Sequence, residues 1–167
     1  EAVITGIASD TSEVKVTVRH VPDAPSVAAK VFSALAANNV NLDMIIQNVS
    51  EAGYTDISYT TPGADLARAV ETMERIVPEI GAREFIVDED IAKVSLVGTG
   101  MKSSPGVASR AFQTLGDNNI NIVAISTSPI RLSVIVDAAQ AAQAVQCLHT
   151  AFGLDSDDLF VETQLSA

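Results

Sequence analysis

The chain has 167 residues, 47% of them apolar and only 4% aromatic, with a formal net charge of −11. That length holds one domain or two small ones with cores of Val, Ile, Leu and Ala, while an acidic excess spread along the chain opposes binding to phosphate backbones or anionic membrane surfaces. A single cysteine, Cys147, excludes an internal disulfide and any multi-cysteine metal site.

In chain order, Val3-Ile-Thr-Gly-Ile7 is β-like without a local partner. Val14 to Val18 alternates apolar and polar residues, as a half-buried strand does. Val27, Ala28, Val31, Phe32 and Leu35 recur at helical spacing, and Asn38-Asn39 ends that helix because Asn tolerates the left-handed conformation. Leu42 to Val49 is predicted as a strand. Glu51-Ala-Gly53 turns the chain, Tyr54 to Thr60 returns as a strand, and Pro62-Gly63 breaks it. Leu66, Ala69, Val70, Met73 and Val77 mark a second helix, and Glu84 to Val87 a last strand.

The same order then recurs, with strands at Val94–Val97, Asn121–Ser126 and Leu132–Val136. Helices are predicted over Val107–Leu115 and Ala138–Phe152, and Leu159–Thr163 is a candidate final strand. The recurrence is literal. Pro25-Ser-Val-Ala returns as Pro105-Gly-Val-Ala, and Asn38-Asn-Val-Asn-Leu42 as Asn118-Asn-Ile-Asn-Ile122, both 80 residues on. Lys15-Val-Thr-Val and Lys93-Val-Ser-Leu are 78 residues apart, so the second strand-to-helix loop carries two extra residues. A period this long is a repeated domain, not a solenoid unit. The predicted fold is α+β, two ferredoxin-like βαββαβ modules over 13–90 and 91–167, with antiparallel sheets and helices on one face.

Catalytic signatures are weak. Gly98 to Gly106 lacks the order of a phosphate-binding loop and reads as a tight turn. His20 and His149 fall in different modules without a Ser or Cys at triad-like spacing, and Cys147 reads as a small core residue. The loop before the first helix says more. A helix N-terminus presents N–H groups that receive a carboxylate, and Asp23 beside it can accept an ammonium group. Together they match an amino-acid zwitterion; Asp23 as a plain helix cap is the other reading. Gln47 offers donor and acceptor to a side-chain hydroxyl, or is an ordinary strand polar residue. Asn121, entering the matching strand of the second module, is a turn residue or reaches across an interface.

These loops, with Ala2-Val-Ile-Thr-Gly-Ile-Ala8, Asn41-Leu-Asp-Met44, Gln47-Asn-Val-Ser50, Gly100-Met-Lys-Ser103 and Ile125-Ser-Thr-Ser128, resemble the regulatory region of aspartate kinase, which carries tandem ACT modules. The resemblance covers essentially the whole chain. It implies feedback inhibition by threonine, with lysine as a second candidate ligand. It also implies a two-fold dimer, pairing with a catalytic α subunit, and no catalytic residues or cofactor in this chain; a cytoplasmic location is the default expectation for a sequence with no apolar run long enough to span a bilayer. Carried over residue by residue, Asp23 would hold the ammonium, the backbone of Ser26, Val27 and Ala28 the carboxylate, and Gln47 the hydroxyl. Asn121 and Ile122 would come from the other module of a partner chain. Residues 2–8 would complete the second module's sheet. Two positions depart from the family: Ser26 replaces a usual Gly, and Pro129 a usual Glu that can meet a lysine side chain. The alternatives are an ACT regulator of another biosynthetic enzyme, a free-standing enzyme, and a nucleic-acid binder, the last opposed by charge and by the scarcity of aromatics.

Overall fold

The computed structural model describes residues 3–101, 104–155 and 161–163. The chain divides into two compact units. One is Glu13–Glu89; the other joins the N-terminal segment up to Ser12 with the chain from Asp90 onward.

In the first unit, β2 (Glu13–Pro22), β3 (Ile45–Gln47), β4 (Tyr54–Pro62) and β5 (Glu84–Asp88) form an antiparallel sheet in the order β3-β4-β2-β5. Alternation sends Val16, Val18, Ile57 and Tyr59 to one face. There they meet Val31 and Leu35 of α1 (Pro25–Ala37) and Ala69, Met73 and Ile76 of α2 (Leu66–Glu79). The helical spacing thus becomes a buried stripe, and the βαββαβ order becomes the split sandwich. Asn39 ends α1 in the left-handed region at φ 58°, and Asn119 repeats this at φ 57°.

In the second unit the sheet order is β7-β8-β6-β1-β9. The first two are β7 (Ala124–Ser128) and β8 (Arg131–Asp137), followed by β6 (Ile91–Thr99) and β1 (Val3–Asp10). β1 runs antiparallel to β6 and fills the position that β5 holds in the first sheet. β9 (Val161–Thr163) lies outside it, parallel to β1. The late segment predicted at Leu159–Thr163 therefore is not the strand beside β6, and its residues 159 and 160 lie outside the described residues. The core unites Ile7, Val94, Leu96 and Val134 with Ala111 and Leu115 of α3 (Pro105–Asp117) and Ala144 and Leu148 of α4 (Ala141–Ala151).

Several predicted boundaries shift. The strand expected over Leu42–Val49 shrinks to Ile45–Gln47; before it, backbone bonds from the Asp43 N–H to the Thr60 carbonyl and from the Thr60 N–H to the Met44 carbonyl are interleaved with bonds to side chains. Thr61 Oγ1 donates to the Asn41 carbonyl (2.6 Å), and the Met44 N–H donates to Thr60 Oγ1 (2.9 Å). The strand expected over Asn121–Ser126 begins at Ala124 and runs on to Ser128. The helix expected from Ala138 opens with a 3-10 turn over Ala138–Gln140, where Asp137 accepts the Ala139 N–H at 3.0 Å.

Candidate functional site

The loop between β2 and α1 owes its shape to proline. Pro25 stands at the first helical position, where its missing N–H costs nothing and its fixed φ suits the helix. The N-cap is Ala24, with no side-chain capping bond, so Asp23 is not the cap. Its carboxylate is exposed and has no hydrogen bond or ion pair among the described residues, while its N–H donates to the Gly53 carbonyl at 2.9 Å. Of the helix-opening donors, the Val27 N–H turns back onto the Ala24 carbonyl at 3.0 Å. Val27 and Ala28 pack against the first core, and Ser26 is exposed.

Gln47 closes β3 opposite Ile57, exposed. Since β2 ends at Pro22 opposite Tyr54, Gln47 and Asp23 share one end of the sheet. The residues predicted as one site are thus split by unit. Asp23, Ser26, Val27, Ala28 and Gln47 gather in the first. Asn121 and Ile122 belong to the second, in the approach to β7, with Asn121 exposed and Ile122 packed on its core.

A cleft of about 390 Å³ adjoins the Asp23 loop, lined by His20, Asn48, Val49, Glu51, Ala52, Tyr54, Thr55 and Asp56. The sequence reading passed over most of these residues. In the second unit a cleft of about 350 Å³ opens between the start of α3 and the β7–β8 hairpin, with Met101, Val107, Ser128, Pro129 and Arg131 on its walls. Cys147 lies apart from both; burial pushes its thiol up, and its Sγ donates to the Ala144 carbonyl.

Two such sandwiches, one completed by the chain's own start, define a tandem of ACT domains. Residues 14–76 and 94–152 match the ACT domain family. An aspartate kinase of Stutzerimonas stutzeri is 47% identical over 156 residues, which cover 93% of this chain and 38% of that protein. An aspartokinase of Mycolicibacterium smegmatis is 48% identical over 160 residues, 95% of this chain and again 38% of the relative. Among solved structures, aspartokinase alpha and beta subunits superpose with a TM-score of 0.85 at 42% identity, covering 90% of this chain and 99% of that one. The regulatory subunit of aspartate kinase from Thermus thermophilus also gives 0.85, at 39% identity, covering 89% and 99%. The chain belongs to the aspartate kinase family and corresponds to its regulatory, ACT-bearing part. It spans about 38% of the length of the whole kinases it matches.

Proposed function

We propose that this chain is the threonine-sensing part of aspartate kinase, switching phosphorylation of the aspartate carboxylate by an associated catalytic subunit in the cytoplasm. The observation that carries the reading is Asp23. Its exposed carboxylate lacks a partner among the described residues and stands beside the start of α1, at the sheet end that also bears Gln47. An ammonium group fits the carboxylate, a ligand carboxylate the helix start, and a hydroxyl the Gln47 amide. Asn121 and Ile122 would close this site from the second unit of a partner chain. Lysine is the less favoured ligand, since Pro129 lines the second cleft without any charge to offer an ammonium.

A two-fold dimer is part of the same reading. β3 and β7 are the edge strands at equivalent ends of their sheets. They carry exposed Ile45, at 53%, and its repeat counterpart Ile125, at 48%. Apolar edges of this kind call for a partner strand. Regulation requires that threonine bind one conformation of the assembled kinase more tightly than another. The test is aspartate phosphorylation by catalytic subunit assembled with this chain. Threonine is expected to lower the rate with the parent chain and not with Asp23→Ala. A rate indifferent to saturating threonine removes the proposal.

A further inference from the structure

The two units part company beside the Asp23 loop. In register, Val18 faces Ile57 in the first sheet, and its counterpart Leu96 faces Leu132 in the second. Gln47 corresponds to Thr127 in the 80-residue repeat. Ten positions therefore separate Gln47 from Ile57, where five separate Thr127 from Leu132. The second unit closes its hairpin with Pro129-Ile130 alone.

The additional residues of the first unit's hairpin build a cluster with the end of β2. Arg19 and His20 together stand opposite Asp56, a bulge marked by the register shift between Val18 and Val21. His20 sits at φ 56°, a left-handed backbone that a non-glycine residue keeps only when its surroundings hold it. Two contacts hold it here. Asp56 Oδ1 accepts the His20 N–H at 3.0 Å, and the imidazole stacks on Tyr54 with centroids 3.7 Å apart and planes 12° from parallel. Tyr54 in turn closes a tight turn with Glu51, through reciprocal backbone bonds of 2.8 and 3.0 Å, over left-handed Ala52 and Gly53.

This cluster reaches both groups assigned to the ligand. The Gly53 carbonyl of the turn accepts the Asp23 N–H. On the other side, the Asp56 carbonyl accepts the Asn48 N–H at 3.3 Å, and Thr55 Oγ1 donates to the Asn48 carbonyl at 2.7 Å, one residue from Gln47.

We propose that His20, Tyr54 and Asp56 are positioning residues for the effector loop: bulge, stack and turn fix where Asp23 stands relative to Gln47. The proposal rests on reading those two residues as ligand contacts.

The test uses the full 167-residue chain. His20→Gly removes the ring but suits the left-handed backbone. Tyr54→Leu removes the stack, and Tyr54→Phe keeps it. In the ligand-free chain, the Asp23 amide of His20→Gly and Tyr54→Leu is expected to exchange with solvent about tenfold faster or more, with core amides such as Val16 unchanged. Tyr54→Phe is expected to keep the parental rate. Threonine affinity is expected to fall about fivefold or more in the first two variants and to stay parental in Tyr54→Phe. In an Asp23→Asn background the same substitutions are expected to have little further effect, since positioning acts through Asp23. Unchanged Asp23 exchange, or an equal loss of affinity with and without Asp23, overturns the proposal. If the parent binds no threonine, the ligand assignment falls, and the exchange measurement still decides the positioning role.

Discussion

At the scale of single residues, Asp23 stood out in the sequence because a carboxylate beside a helix start offers partners to both ends of a zwitterion. The sequence left capping open; the structure closes it, since Ala24 is the N-cap. Gln47 was singled out by its place on the strand after the helix. Its proposed role implies selectivity for a hydroxyl. Gln47→Ala is expected to weaken threonine more than 2-aminobutyrate in parallel titrations, and equal losses would withdraw that role. The partners of His20 were not legible, because stacking on Tyr54 follows from a bulge that no local pattern announces. Deep in the first core, Tyr59 is fully buried, burial pushes its phenol above the usual range, and its hydroxyl finds no partner among the described residues. Removing an unpaired buried hydroxyl relieves its desolvation. Tyr59→Phe is expected to hold stability or raise it by about 1 kcal/mol in denaturant unfolding, and a loss of similar size would mean that the hydroxyl has a partner.

At the scale of elements, helices were legible because apolar spacing coincided with packing: Val31 and Leu35 of α1, Ala111 and Leu115 of α3, are all fully buried. Strand limits were less so, since β-forming residues continue where the backbone turns to other partners. Asp65 shows one such diversion. Its carboxylate accepts the Asn41 N–H at 2.9 Å and pairs with Arg68, tying the α1–β3 connection to the start of α2. These bonds, that from the Asn41 backbone foremost, hold its carboxyl below the usual range. A depressed carboxylate stabilises the fold above its unfolded value and loses that contribution as pH falls through the folded value. The thermal midpoint is therefore expected to drop more steeply below about pH 4 in the parent than in Asp65→Asn; identical slopes would contradict the linkage. Gly98 marks the seam between β1 and β6, where a Cβ would clash with the Val3 carbonyl oxygen. Gly98→Ala is expected to cost about 1–3 kcal/mol, measured as earlier unfolding of the second unit. An unchanged melt would show that β1 can move aside.

At the scale of the molecule, the repeat in the sequence becomes two sandwiches of like topology that differ in where the fourth strand comes from. In the first unit β5 supplies it in chain order. In the second, β1 supplies it from the far end of the sequence, so the first unit is an insertion in the second. Local pattern gives β1 its strand character but not its partner, because pairing across some 90 residues depends on the closed sheet. The dimer belongs to this scale too. Sedimentation at saturating threonine is expected to give a dimer, and a monomer would contradict the shared site. The central claim, that Asp23 anchors a threonine site, is tested most directly by calorimetric titration of threonine into the parent chain and into Asp23→Ala. A charge-assisted bond to an ammonium removed from water is worth about 1.5–3 kcal/mol. The parent is expected to give a saturable isotherm and Asp23→Ala one about tenfold weaker or more, with lysine giving less heat than threonine. Superimposable threonine isotherms for the two chains, or none from the parent, would contradict the account.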